Sequence, residues 1–287
     1  MDHQGTIIRP PNEAGSILLQ VAVGCAHGAC TFCGAYHGHP YRPKDAATVA
    51  ADVDLAARRH QDRRRVFLCG GDALALPVAR LLDVLALVRA RLPWVTRVGA
   101  YASARSLGAR DDAELRALRR AGLATVYMGL ESGDDAVLAR VRKGADSAFI
   151  VAQGRRARAA GLRLSVTVLL GLAGEAGAQA HARATGAALT ALEPEHIGAL
   201  TLVLVPGTPL FADAAAGRFV LPGPSAMLAE LRTLLEHTSP PRGLFLADHA
   251  SNHLPLRVRL PGGKAGALAR IDAALAGRVP LRRQRGL

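Results

Sequence analysis

This 287-residue chain has few aromatics, three lysines, four cysteines and no apolar run long enough to span a bilayer. Each shortage excludes something. Phe, Trp and Tyr make up 4% of the residues, too few for the stacking platforms that hold single-stranded nucleic acid. The longest apolar stretches, Leu164–Leu172 and Ile197–Val205, are strand-sized, so no membrane contact is expected. Met1–Gly15 has neither an apolar core nor a cleavage pattern, which predicts no secretion signal and a cytoplasmic protein. Only Lys44, Lys143 and Lys264 are lysines, yet the formal net charge is +13, so nearly all the basic charge is Arg. One reading is attraction to a polyanion such as RNA. The other is Arg scattered over the helix faces of an Ala-, Gly- and Leu-rich chain. Charge alone supplies only non-specific affinity, and RNA stays open as a partner.

Half of the residues are hydrophobic, enough to bury a large core. Short apolar runs alternate with amphipathic stretches. The runs predict strands at Ser16–Gly24, Arg65–Cys69, Thr96–Ala102, Thr125–Leu130, Arg163–Leu170 and His196–Val205. The stretches predict helices near Asp45–His60, Leu76–Leu92, Asp111–Ala121, Asp134–Arg142, Ser147–Ala160, Ala178–Leu192 and Ser225–His237. Such alternation implies parallel βαβ units, and almost wholly apolar strands suit burial on both faces. The fold class expected is α/β, a partial (β/α)6 TIM-like barrel, with a doubly wound open sheet as the alternative. After Pro206 the chain turns irregular. Residues 1–210 are expected to form the core, and residues 211–287 a small extension packing on or capping it. That extension holds a candidate strand at Leu244–Ala247, a helix at Lys264–Ala276 and a basic tail, Arg278–Arg285.

Three of the four cysteines fall within nine residues, in Val23-Gly24-Cys25-Ala26-His27-Gly28-Ala29-Cys30-Thr31-Phe32-Cys33, just after the first strand. Clustered thiols in a chain with no secretion signal point to metal or redox chemistry rather than disulfides. In a parallel barrel this loop lies at the mouth where active sites collect. Three thiolates can hold three irons of a cubane cluster and leave the fourth iron open to a chelating ligand. Gly24, Gly28 and Gly34 let the loop wrap a bulky core, and Phe32 can shield it from water. A Cys3His zinc site using His27 is the alternative, in which the chain is a non-catalytic protein that interacts with nucleic acid.

This loop resembles that of the radical S-adenosylmethionine (SAM) superfamily. The widespread spacing there is Cys-x3-Cys-x2-Cys. The present Cys-x4-Cys-x2-Cys is one residue longer and is similar to a subgroup related to oxygen-independent coproporphyrinogen III oxidases and Elongator-type enzymes. The resemblance runs from about Ser16 to Gly207. It implies an oxygen-sensitive enzyme in which Cys25, Cys30 and Cys33 hold a [4Fe–4S] cluster that cleaves SAM to a 5′-deoxyadenosyl radical. It also implies an electron donor such as flavodoxin or ferredoxin and a substrate that the resemblance does not identify. An RNA-modifying radical SAM enzyme is a further reading.

The ends of successive strands carry the remaining resemblance. Cys69-Gly70-Gly71-Asp72 resembles the Gly-Gly-Glu motif that holds the amino group of SAM, although Gly-Gly is also an ordinary βα turn. Ser103, after the third strand, is either a contact to the methionine carboxylate or ribose, or a helix N-cap. Glu131 follows a buried strand, where a carboxylate is costly without a purpose. It suits the ribose hydroxyls or the ammonium. Lys143 stands twelve residues on, at the offset of a basic SAM-binding residue in the coproporphyrinogen-oxidase-like enzymes. A surface lysine is the alternative. Thr167 and Gly171, at the fifth strand, resemble the region backing the adenine, and Tyr36 is placed beside it, with Phe32 as part of the wall. Two features fall outside the resemblance. Cys69 is either a hydrogen-atom donor or packing, and Asp248–Leu254 either presents His249 or Asn252 to substrate or forms a capped turn. No second cysteine cluster and no cobalamin module are expected.

Overall fold

The computed structural model describes residues 1–282, and the chain forms two compact units. The first comprises Met1–Ala29, Ala35–Met128 and Arg156–Leu164. It begins with a single 3-10 turn, Pro11–Glu13, and then strand β1, Ile17–Gln20. A two-residue strand β2, Ala22–Val23, pairs antiparallel with β3, Arg42–Pro43. Helix α1, Ala46–Arg59, β4, Arg65–Cys69, α2, Val78–Arg91, β5, Arg97–Tyr101, and the short α3, Ala104–Gly108, follow. Helix α4, Asp112–Ala121, leads into β6, Leu123–Glu131. Strands β1, β4, β5 and β6 pair in that order, all parallel.

Local chemistry sets these boundaries. The Asp45 side chain accepts from Thr48 N and caps α1 (2.9 Å). Asp111 and Glu114 form a capping box at α4, and Gly122, at φ +116°, ends it. The core between strands and helices includes Phe67, Cys69 and Tyr127, with Phe67 edge-on to Tyr101 and Tyr127 at 5.0 and 5.5 Å. Cys69 is wholly buried there, and burial pushes its thiol up to about 12. Such burial suits packing. Glu13 is also wholly buried, held by Arg97 Nη2 at 2.8 Å and by the hydroxyls of Tyr127 and Ser16. Three donors make that burial tolerable.

The second unit comprises Cys30–Gly34, Gly129–Arg155 and the chain from Ser165 onward. It includes α5, Asp135–Arg140, most of α6, Ser147–Ala159, and most of β7, Arg163–Leu170. Then come α7, Gly174–Leu192, β8, His196–Thr201, α8, Pro209–Ala215, and α9, Pro224–His237. The C-terminal part adds β9, Gly243–Leu246, β10, Arg257–Leu260, and α10, Lys264–Leu275. Strands β7, β8 and β9 are parallel, and β10 returns antiparallel to β9.

Two points differ from the sequence expectation. Six parallel strands and a candidate at Leu244–Ala247 were expected, and the C-terminal part supplies that seventh strand, β9, together with an antiparallel eighth, β10, that was not expected. Strand β8 stops at Thr201 instead of Val205. Its neighbour β9 covers only His196–Gly198. Beyond that, Asn252 does the work of a strand. Its Oδ1 accepts from Thr201 N and Oγ1 (2.8 and 2.9 Å), and its Nδ2 donates to Ala199 O (2.7 Å). His249 Nδ1 and Ser251 Oγ, 2.9 Å apart, brace the same turn. Buried backbone groups need partners, and the polar 248–254 segment provides them. Among the described residues no helix is long and apolar enough to cross a membrane. Of the basic tail expected at Arg278–Arg285, residues 283–285 lie outside the described residues.

Candidate functional site

In the first unit the cysteine loop starts on the end of β4. Gly24 sits at φ +74°, and a Cβ on it would lie 2.6 Å from Pro40 O. Gly24 O accepts from Gly71 N at 2.8 Å, and a Cβ on Gly71 would stand 2.4 Å from that of Cys25. Only glycine lets these backbones meet. Next to Gly71, the carboxylate of Asp72 is 1% exposed and accepts from Ser103 N (3.2 Å) and Ser106 Oγ (2.8 Å). The structure thus brings Gly70, Gly71, Asp72 and Ser103 together at the ends of β4 and β5. The Ser103 hydroxyl accepts from Ser106 N (3.0 Å) and is the N-cap of α3. Tyr36 lies in a turn whose carbonyl accepts from His39 N. His27 Nδ1 lies 3.5 Å from Arg105 Nη1.

Tyr41, just before β3, was not legible as a site residue. Its hydroxyl oxygen is buried with no hydrogen-bond partner among the described residues. Burial, then the Asp72 charge, push it up to about 12, against the pull of Arg110. The phenol therefore lies near Asp72 and Cys25.

In the second unit Cys30 and Cys33 lie on a segment pinned from both sides. Thr31 N donates to Val141 O and Leu210 N to Thr31 O, each at 3.0 Å. Phe32 packs against Val137, Val141, Leu172, Leu202 and Phe219. A Cβ on Gly34 would stand 2.4 Å from Val205 Cγ1. Cys33 N donates to Cys30 O (3.2 Å), which closes a turn between the two cysteines. None of the three loop cysteines is in a disulfide, and all are half-buried. Among the described residues no three Cys, His, Asp or Glu side chains are already gathered at metal-binding distance.

Glu131 ends β6 at φ +62°, a left-handed conformation that a residue with a Cβ adopts at a cost. Such strain collects at functional sites. Its Oε1 lies 3.0 Å from Lys143 Nζ, and both side chains are mostly buried, 11% and 17% exposed. Arg142, at φ +54°, makes the turn that delivers Lys143. Gly129 passes directly beneath, where a Cβ would fall 1.9 Å from Glu131 Oε1. Lys143 is thus a paired, half-sheltered cation and not a lone surface lysine. Thr167 is half-buried on β7. Gly171 follows β7 at φ +82°, and a Cβ there would meet Met227 Cε at 2.3 Å.

Behind β6 and β7 lies a polar core that the sequence did not disclose. Gly171 N donates to Glu230 Oε1 (2.8 Å), and His181 Nε2 is 3.4 Å from that oxygen. Burial pushes the Glu230 carboxyl up to about 8, opposed by the Gly171 bond. Burial pushes His181 down to about 4, opposed by its bond to Leu169 O. The one available signal was an acid on the apolar face of α9, among Met227, Leu231 and Leu234.

A family model described as the Radical SAM superfamily matches residues 19–181, more than half of the chain and every expected site residue from Cys25 to Gly171. The chain belongs to the radical SAM superfamily. It is an enzyme of that type, and its cofactors are a [4Fe–4S] cluster and SAM. Solved structures of this superfamily share its fold. Methylornithine synthase (PylB) is 15% identical with a TM-score of 0.55, over 78% of this chain and 63% of that one. Coproporphyrinogen III oxidase (HemN) from Escherichia coli is 17% identical with a TM-score of 0.55, over 77% and 51%. The radical SAM methyltransferase TsrM from Kitasatospora setae, with cobalamin and a [4Fe–4S] cluster bound, is 19% identical with a TM-score of 0.54, over 93% and 55%. The chain spans less than two thirds of the length of each. No curated protein matches it. The α/β fold expected for a partial barrel is the radical SAM fold, and three thiols on one glycine-rich loop fit the soft ligation an iron–sulfur cluster requires.

Proposed function

We propose that Cys25, Cys30 and Cys33 ligate the cluster and that SAM is held by the groups at the ends of β4 to β7. The observation that carries this reading is the strained Glu131, held over Gly129 and paired with Lys143. When bound, the reduced cluster and SAM supply a 5′-deoxyadenosyl radical, which abstracts hydrogen from a substrate not yet identified. The chain's own residues do the rest. Asp72 presents a carboxylate to the ammonium of SAM beside the backbone of Gly70, Gly71 and Ser103. Glu131 accepts from the ribose hydroxyls, and Lys143 holds it in place. Thr167 and Gly171 allow the adenine to approach β7, and Phe32 and Tyr36 exclude water.

In this reading residues 1–210 carry the cofactors, and residues 211–287 are the extension that shapes the substrate side. The reductant is a flavodoxin or ferredoxin, and the oxygen-sensitive cluster suits the cytoplasm. The net charge of +13 favours an RNA substrate as a second reading. RNA that co-purifies at low salt and leaves steeply as salt rises would support it. The main test is anaerobic reconstitution with iron and sulfide, then dithionite and SAM. We expect 5′-deoxyadenosine, and a fully loaded cluster that yields none would refute the reading.

A further inference from the structure

Two neighbouring turns in the second unit are held in unusual conformations, at Glu131 and Gly171, at φ +62° and +82°. One buried network reaches both. Ser132, 0% exposed, follows Glu131 directly. Its Oγ accepts from Asp134 N (2.9 Å) and lies 2.8 Å from His181 Nδ1, closer than to its other acceptor, Asp134 O at 3.4 Å. The other ring nitrogen, Nε2, faces two acceptors, Leu169 O at 3.2 Å and Glu230 Oε1 at 3.4 Å. It therefore carries the proton, and His181 is a neutral imidazole of defined tautomer. Glu230 Oε1 closes the chain by accepting from Gly171 N. Beside it, Thr185 Oγ1 accepts from Gly133 N (2.9 Å).

The order Ser–His–Glu resembles a hydrolytic triad, but the serine is sealed from solvent. No substrate reaches it. What the network touches instead is backbone: the residues flanking Glu131, the carbonyl of Leu169 and the amide of Gly171. A non-glycine residue in a left-handed conformation persists only where its surroundings over-determine it. Helices α7 and α9 supply those surroundings through His181 and Glu230.

We propose that Ser132, His181 and Glu230 are positioning residues for SAM, fixing the ends of β6 and β7 so that Glu131 and Gly171 are presented together. This rests on the reading of Glu131 and Gly171 as SAM contacts. The network touches no SAM atom itself. Its effect falls on SAM affinity rather than on the cluster, whose cysteines lie elsewhere in the chain.

The test uses the full-length, reconstituted protein as wild type, Glu230→Ala, Glu230→Gln and Ser132→Ala. Three quantities are read: iron content, the SAM dissociation constant, and hydrogen exchange of the peptides covering 129–134 and 169–174. Glu230→Ala should weaken SAM binding about tenfold, equivalent to about 1.4 kcal/mol, with iron content unchanged and exchange faster in both peptides. Glu230→Gln keeps an acceptor for Gly171 N and should stay within about twofold of wild type. Ser132→Ala should speed exchange at 129–134. Unchanged SAM binding in Glu230→Ala, or a loss in Glu230→Gln as large as in Glu230→Ala, would overturn the positioning role alone. A wild-type protein that takes up a full cluster but does not bind SAM would remove the underlying reading and this proposal with it.

Discussion

Replacing Glu230 by Gln should change how stability depends on pH. Burial raises the Glu230 carboxyl from 4.5 to about 8 in the folded chain. Between those values the folded state keeps a proton that the unfolded state has released, so stability falls as pH rises. His181 works oppositely. Its pKa is lowered from 6.5 to about 4, so its contribution is complete above 6.5 and is lost as pH falls. The two slopes cancel between about 4.5 and 6.5, and above 6.5 only the Glu230 slope remains. From there to about 8 the interval is about 1.5 pH units, worth about 2 kcal/mol at 1.36 kcal/mol per unit. Glutamine cannot ionise and is nearly the same shape. Urea unfolding of both proteins across this range should therefore give curves that diverge by about 2 kcal/mol, with the variant gaining relative to wild type as pH rises. Parallel curves would mean that Glu230 is ionised throughout, and the assignment of a neutral carboxyl beside a neutral His181 would fail.

Other perturbations follow from single contacts. Asn252→Ala leaves two buried groups of β8 without partners and should destabilise by about 1–3 kcal/mol, read as a lower denaturant midpoint. Tyr41→Phe removes a buried hydroxyl that has no partner among the described residues, and should be neutral or stabilising by about 1 kcal/mol in the cluster-free protein. A marked loss there would reveal a partner. Cys69→Ala should retain full iron content after reconstitution, whereas Cys25→Ala should lose it. Iron and sulfide analysis with the visible absorbance separates the two.

The strand ends were legible because they depend on nearby residues. Strands β4 and β7 begin and end where the apolar runs Arg65–Cys69 and Arg163–Leu170 do. Strand β8 was read too long because Leu202–Val205 is as apolar as a strand, while its pairing with β7 stops at Thr201, where β7 itself ends. Strand β9 was legible as a candidate at Leu244–Ala247, whereas the four-residue β10, Arg257–Leu260, carries too short a pattern to stand out from turns. Glu131 and Lys143 could be singled out by their spacing, but neither the left-handed turn nor Gly129 beneath them follows from spacing. Tyr41, His181 and Glu230 look like scattered polar residues until distant segments meet. Glu230 shares α9 with buried Met227, Leu231 and Leu234, and its partners come from the turn after β7 and from α7, more than forty residues earlier in the chain.

Asn252 also bears on how the chain can be shortened. Its side chain stands in for missing strand at Ala199–Thr201, while β9 covers the first half of β8. A chain cut after Arg242 would lose both at once. Strand β8 would then become a bare edge, ready to pair with the same strand of another molecule. Self-association would follow even with every cofactor-binding group intact, so loss of solubility on trimming this end would report an unprotected edge and not a damaged catalytic centre.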